Sequence, residues 1–421
     1  NVALVFEGKQ LTYQQLNEKA NKLARRIRTR YKALSGEELL PDTLIPLCLD
    51  RSLEMIVGIL GVLKAGGAYV PVDPEYPQDR IDHMLADTGA VLVLSRKHLS
   101  EKPGLSQDKL LMIDFNEDFY RTEAVKNLTS QSTTNDLAYV IYTSGTTGKS
   151  KGVLIEHSTL VASQSARGRY YGSAIGSAVL IPSFSFDSSV AVIWEMLVSG
   201  GKLYLAEGMQ VRDTSYIAQL MVKEKIESIL CVPSYYNQLL DNEFFASDYL
   251  KRVIVAGESV PGKLIDKHFT RTSATALFNE YGPTECTVWA SATELTREDK
   301  QVVIGKPIDN TQIYILDRYQ KLVPVGVCGE IYIGGRGVGR VYLTRPELTA
   351  EKFIANPFSP TGTRLYRIGD LGRWLPDGNI DVLGRIDEQV KIRGFRIELG
   401  EMEQVLRQIP GIKQSCVLAR E

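Results

Sequence analysis

The chain has 421 residues, 44% hydrophobic and 24% charged, an ordinary balance for a soluble globular protein and enough for a large domain with an appendage. Lys plus Arg number 49 against 50 for Asp plus Glu, so no overall field attracts nucleic acid or an anionic membrane. No run of 18 apolar residues could span a bilayer, and residues 1–10 carry charge where a signal peptide would be apolar.

In chain order, the sequence opens in mid-strand. Apolar positions Leu16, Ala20, Leu23, Ala24 and Ile27 then predict a helix over 12–29. The polar stretch 32–43, with Pro41, reads as a solvent loop. Segments 45–49, 68–72, 91–94 and 110–113 read as short buried strands between helical segments. One of those, 55–63, is nearly all apolar and is broken by Ala65-Gly66-Gly67. The run 137–142 is a further buried strand, and Val153-Leu154-Ile155 begins another. The alternation continues through 178–181, 190–198, 202–205, 214–223, 228–232 and 252–255. This rhythm predicts an α/β protein with two doubly wound, mostly parallel sheets.

After about residue 305 the texture changes. Segments 311–316, 329–333, 364–366 and 379–383 are short strands with Gly and Pro turns, the pattern of a small antiparallel β-barrel. A charged break, Gly384-Arg385-Ile386-Asp387-Glu388, reads as a hinge before a further strand and helix. The expected division is a core over 1–386, with βα sheets to about 305 and the barrel over 306–386. Residues 387–421 would be the hinge and the start of a truncated α+β subdomain. The chain ends in mid-pattern, as a piece of a longer polypeptide would.

The cysteines (Cys48, Cys231, Cys286, Cys328 and Cys416) are odd in number, scattered and without C-x-x-C spacing. They point to reduced thiols in a cytoplasmic protein rather than to disulfides or zinc. The histidines (His83, His98, His157 and His268) form no H-x-x-x-H or H-E-x-x-H pattern and read as packing or surface residues.

The most informative segment is 143–152, TSGTTGKSKG, between the two strands. Glycines let backbone N–H groups approach phosphate oxygens, while hydroxyls and lysines add donors and charge. Gly148, Lys149 and Ser150 fit the end of G-x-x-x-x-G-K-[ST], but Thr143 stands where the first glycine is required. A strand follows where that motif needs a helix, so no helix N-terminus is aimed at the phosphates. On this segment alone, a mobile surface loop without ligand remains the alternative. Further on, the 279–285 loop NEYGPTE combines an aromatic for a base, a hydroxyl for a phosphate and a carboxylate for Mg²⁺, with a plain Gly-Pro turn as its alternative. Asp370, after the strand in YRIGDL, suits a ribose diol or a turn cap. The stretch GGRGVG from Gly334 lacks G-x-G-x-x-G spacing and reads as backbone turns.

Together these segments resemble the adenylation domains of nonribosomal peptide synthetases, in the acyl-adenylate-forming superfamily. The resemblance covers essentially the whole chain and rests on motifs in the family's order: LTYQQL from Leu11, LKAGGAYVPVDPEYPQDR from Leu63, YTSGTTGKSKG from Tyr142 and FDSS from Phe186. NEYGPTE from Asn279, GEIYIGGRGVGRVYL from Gly329, YRIGDL from Tyr366 and GRIDEQVKIRGFRIELGEME from Gly384 follow. The FDSSVA stretch looks like synthetases of the anabaenopeptin type.

The resemblance implies roles. Thr143, Ser144, Thr146, Thr147 and Lys151 would hold the ATP phosphates and then pyrophosphate. Thr284 would contact the α-phosphate and Glu285 would coordinate Mg²⁺. Tyr281 would stack on adenine and Asp370 would bind the ribose, with Arg385 nearby; Asn279 and Gly282 complete the nucleotide set. Asp187 would pair with the substrate α-ammonium, and Asp387 would be the hinge. Ser188, Ala191, Glu195, Leu230, Ser234, Ile254, Ala256, Glu280, Val288 and Trp289 would surround the substrate. The implied reaction is amino-acid activation by ATP to an aminoacyl-AMP. Transfer to a phosphopantetheine thiol on a carrier-protein domain would follow, beside neighbouring synthetase domains. Ser150, Ile368, Val341 and Val382 depart from the family's usual Pro, Thr, Gly and aromatic, and the family's C-terminal lysine would lie beyond Glu421. An aryl- or acyl-CoA ligase and a non-catalytic nucleotide-binding fragment are the alternatives; Asp187 speaks against the first, whose substrates lack an ammonium group.

Asp187 begins a helical segment, so Ala191 and Glu195 follow on the same face at one and two turns. Ala191 would leave space, and Glu195 would close a long pocket and receive arginine first, then tyrosine, then lysine. Trp289 could pack against either an arginine or a tyrosine side chain. Glu280 is a rival for the acidic role, and Glu195 on a solvated outer face is the alternative.

Overall fold

The computed structural model describes residues 1–419 other than 103, 146–148, 173, 174, 273, 300, 360, 361, 388 and 393, with the side chain of 404 also aside. The expected contributions of Thr146 and Thr147 therefore lie outside the described residues. The chain divides into two compact units. The first comprises Asn1–Ile141, Leu154–Gln164 and Ser173–Asp213, and the second Tyr142–Val153, Ser165–Gly172 and Thr214–Glu421.

In the first unit, Thr12 caps helix Tyr13–Ser35, accepting from the Gln15 N–H while the Gln15 side chain accepts from the Thr12 N–H. The helix buries the expected Leu16, Ala20, Leu23, Ala24 and Ile27 and runs on to Ser35, ending at Gly36 in the left-handed conformation with φ 78°. The predicted solvent loop thus begins as helix, because the stop signal is Gly36 rather than the polar residues before it. The apolar segment forms helix Leu53–Ala65, capped by Ser52, and crosses the first helix closely. A side chain at Gly61 would come within 2.8 Å of Leu23. Strands Leu110–Met112, Val93–Ser95, Leu44–Cys48, Ala68–Val72 and Leu137–Thr143 lie in that order. A second set pairs Val2–Phe6 with Lys202–Leu205 and the latter with Ser177–Val179, all parallel. Helix Asp187–Ser199 begins at Asp187, whose carboxylate complements the helix N-terminus.

In the second unit, strands Ser228–Cys231, Arg252–Ala256 and Ala276–Tyr281 are parallel, with Leu230 opposite Ile254 and Ala256 opposite Glu280. Ser291–Leu295 and Lys306–Pro307 extend them antiparallel. The expected barrel region is a curled antiparallel sheet of Thr311–Leu316, Gly329–Gly335, Arg364–Trp374, Phe353–Ala355 and Ile380–Arg385. The strand expected over 364–366 extends to Trp374. Beyond it stand the hairpin Gln389–Ile392 with Phe395–Glu398 and the helix Leu399–Arg407. The βα alternation and the switch to antiparallel texture both stand as read from the sequence. Among the described residues, no helix is long and apolar enough to cross a membrane.

Candidate nucleotide and substrate sites

The strand–loop–strand reading holds: Leu137–Thr143 and Lys151–Glu156 flank the Gly-rich loop. Glycine is required at 145, where a Cβ would lie 2.3 Å from the Lys149 carbonyl oxygen. The hydroxyl of Thr143 is buried and makes no hydrogen bond among the described residues, an uncommitted donor at the loop's root. Ser144 Oγ donates to the Arg396 carbonyl oxygen at 2.8 Å.

Lys151 is buried at the start of the second strand. Its neighbour Val153 bridges Tyr342, and the Leu343 N–H donates to the Gly152 oxygen at 2.8 Å. That pairing brings Lys151 Nζ to 3.1 Å from the Tyr342 hydroxyl and 3.3 Å from Glu285 Oε1. Glu285, in the short 3-10 turn Thr284–Cys286, is 0% exposed. The Tyr342 hydroxyl donates to its Oε1 at 2.6 Å, and Arg396 Nη1 reaches Oε1 at 3.3 Å and Oε2 at 3.2 Å. Burial alone would raise the Glu285 carboxyl, but Arg396, Lys151 and the Tyr342 hydrogen bond hold it far below the usual carboxylate range. Lys151 is pulled down to about 8, first by burial and next by Arg396, against the opposing pull of Glu285.

The 279–285 segment is only partly the loop expected from its sequence. Asn279, Glu280 and Tyr281 end a strand, and the chain turns only at Gly282. The Ala290 N–H then donates back to the Tyr281 oxygen at 2.7 Å. This fold-back leaves no room at Gly282, where a Cβ would lie 2.5 Å from Trp289 Cα. It also places two β-branched residues in the left-handed region, Thr287 at φ 57° and Val288 at φ 83°. Asn279 is buried, and its amide donates to the Val303 oxygen at 2.9 Å, which pins the strand end.

Tyr281, Asp370, Arg385 and Asp387 form one chain of contacts. The Tyr281 hydroxyl donates to one oxygen of Asp370 and Arg385 donates to the other. Arg385 also grips Asp387, with Nε 2.5 Å from Oδ1 and Nη2 2.7 Å from Oδ2. Burial pushes the Tyr281 phenol up, and Asp370 adds to it.

The substrate residues expected from sequence fall in both units. Asp187, Ser188, Ala191 and Glu195 belong to one helix, with Ala191 fully buried and the other three half-buried. In the second unit the strand register puts Leu230, Ile254, Ala256 and Glu280 on one sheet face. The Ser234 N–H donates to Glu258 Oε2 at 3.0 Å. Trp289 is buried and Val288 half-buried.

Glu280 requires a correction. The sequence offers it as a rival acid for a cationic substrate, but Arg167 forks onto it at 2.6 and 2.9 Å and the Tyr171 hydroxyl also donates to it. Its charge is already answered within the chain. Sequence reasoning missed Arg167, Tyr171, Tyr342 and Arg396. Tyr342 and Arg396 lie inside quoted motifs, GEIYIGGRGVGRVYL and KIRGFRIELGEME, so a signal existed. Arg167 sits in a polar helix without a local pattern that marks it.

Among the described residues, no three His, Cys, Asp or Glu side chains gather as a metal cluster. A single buried carboxylate that already holds two cations still suits Mg²⁺, which is commonly held by one or two carboxylates together with substrate phosphates.

The family model for AMP-binding enzymes matches residues 1–343. Over its whole length the chain is 46% identical to bacitracin synthase 3 of Bacillus licheniformis, covering 6% of that synthase. It is 42% identical to tyrocidine synthase 3 of Brevibacillus parabrevis, again over its whole length and covering 6% of the synthase. The chain thus spans a small part of these curated relatives. Among solved structures, a four-domain nonribosomal peptide synthetase described as bound to AMP and glycine aligns over 100% of this chain and 30% of its own. Its TM-score is 0.81 at 32% identity. The NpsA-ThdA adenylation–PCP fusion from Klebsiella oxytoca aligns over 98% of this chain and 81% of its own, with TM-score 0.85 at 25% identity.

Proposed function

This chain belongs to the AMP-binding enzymes, among them to the adenylation domains of nonribosomal peptide synthetases, and from that premise we propose how its residues divide the work. The single observation that carries the proposal is the convergence of Lys151, Glu285 and Tyr342 beside a glycine loop that leaves the Thr143 hydroxyl uncommitted.

Thr143, Ser144 and Lys151, with Thr146 and Thr147 of the same loop, hold the ATP phosphates and keep the departing pyrophosphate's charge satisfied. Thr284 contacts the α-phosphate. Tyr281 and Gly282 form the floor for adenine, Asp370 takes the ribose hydroxyls and Asn279 fixes the strand end beneath them. Glu285 would hold Mg²⁺, which when bound would supply positive charge to the phosphate oxygens. No side chain acts as a nucleophile, because the substrate carboxylate itself attacks the α-phosphate.

Asp187 pairs with the substrate α-ammonium, and Ser188, Ala191 and Glu195 continue along that helix. Ala191 leaves room, and Glu195 receives a guanidinium or a phenol, so the substrate is arginine and/or tyrosine, then lysine. Leu230, Ser234, Ile254, Ala256, Val288 and Trp289 of the second unit are the further residues assigned to the substrate. The aminoacyl group then passes to a phosphopantetheine thiol on a carrier domain after a turn about Asp387. Amino-acid-dependent ATP–pyrophosphate exchange across a panel of amino acids tests the reading. Exchange strongest with arginine or tyrosine supports it, and exchange with no amino acid refutes it.

A further inference from the structure

The Arg167–Glu280 pair belongs to a largely buried network. Both side chains are 1% exposed, and their fork-to-fork contact uses both carboxylate oxygens. The Arg167 guanidinium lies 4.5 Å from the Trp289 ring centre, and Tyr171 stacks on the same ring at 5.9 Å and 10°. On Tyr171 the Arg252 guanidinium sits 4.3 Å from the ring centre. Burial raises the Tyr171 phenol and Glu280 raises it further, so Tyr171 stays a donor to Glu280.

A bare buried carboxylate would attract any cationic side chain that reached it, and would cost much to keep ionised otherwise. Glu280 faces the same side of its sheet as Leu230, Ile254 and Ala256, yet its charge is already balanced. We infer that Arg167 is a specificity-determining positioning residue: by neutralising Glu280 it makes this wall of the substrate pocket electrically silent, so that the wall selects by shape and leaves charge recognition to other residues. The inference rests on the proposed function, which places Glu280 in the substrate wall.

The test compares the full-length protein with Arg167→Met, Glu280→Gln and the double variant, measuring KM and kcat in ATP–pyrophosphate exchange with tyrosine, arginine and lysine. Arg167→Met retains Glu280 unpaired and should raise the preference for lysine over tyrosine at least tenfold, mainly through KM. The double variant removes both charges, which a buried site tolerates far better than losing one partner. It should fold, and any loss of activity should fall on tyrosine, arginine and lysine alike, so that their ranking stays that of the wild type. A wild-type ranking in a folded Arg167→Met variant overturns the inference. So does a selective tenfold loss of arginine or lysine activation in the double variant, which would mean that Glu280 reads the substrate cation itself. The second arm decides the matter even if Arg167→Met does not fold. Absence of exchange in the wild-type protein would instead bring down the proposed function, and this inference with it.

Discussion

Replacing Arg396 with methionine should tighten the binding of magnesium–nucleotide. Arg396 stands on the hairpin strand Phe395–Glu398, anchored by the Ser144 contact to its carbonyl and by its own Nε, 2.8 Å from Gln389 Oε1. Of the two Glu285 oxygens, Oε1 is shared with Tyr342 and Lys151. Arg396 Nη1 reaches both oxygens, Oε1 at 3.3 Å and Oε2 at 3.2 Å, and a metal held by Glu285 would compete with that contact. A hydrogen bond between charged groups contributes about 1.5–3 kcal/mol, which the metal must displace. Removing that competitor should strengthen magnesium–nucleotide binding roughly 10- to 100-fold, at about 1.4 kcal/mol per tenfold. Calorimetric titration with a non-hydrolysable ATP analogue, with Mg²⁺ and again with EDTA, reads the effect directly. The gain should be confined to the Mg²⁺ arm. Unchanged or weaker binding there would mean that Arg396 does not compete with the metal and would recast it as a phosphate ligand.

Further outcomes follow from the same geometry. Lys151 titrates near 8 in the folded chain against an ordinary value of 10.5, so between those limits the unfolded chain holds more protons. Its contribution to stability should therefore rise as pH climbs from about 8 toward 10.5, and Lys151→Met should abolish that rise in urea unfolding series. Glu285→Gln should destabilise by about 3–5 kcal/mol, since it leaves Lys151 and Arg396 buried without their carboxylate; denaturant midpoints measure it. Gly282→Ala should cost about 1–3 kcal/mol through its clash with the Trp289 backbone, and the same melts would show no change if the turn could yield. Glu195→Gly should sharply reduce arginine activation while leaving small amino acids less affected; unchanged arginine exchange would remove Glu195 from the pocket.

Much of this was legible in the sequence because it is local. The helix at Asp187 and the turn at Gly282 are written in adjacent residues. The βα rhythm follows from alternating short apolar runs, and Lys151 is marked by the strands on either side of its loop. Long-range pairing was harder to read. Glu280 looked like a free acid because Arg167, 113 positions earlier, leaves no trace beside it. Arg396 reaches Glu285 across 111 positions, through a hairpin whose motif was visible but whose partner was not. The segment around Tyr281 reads as loop in the sequence because Gly-Pro dominates the local signal, whereas pairing with Arg252–Ala256 and Ser291–Leu295 extends the strand up to that glycine. The helix running to Ser35 is cut short in the sequence reading although Tyr31 and Leu34 continue the spacing from Ile27, because the polar residues from Lys32 onward mask the last turn and Gly36 is its real stop.

The amino-acid panel in ATP–pyrophosphate exchange on the full-length protein bears most directly on the adenylation chemistry. Exchange should depend on an amino acid, be strongest with arginine or tyrosine, and be lost in Lys151→Met and Glu285→Gln. Exchange driven by no amino acid, or exchange that survives both substitutions, would show that this chain does not activate amino acids through these residues.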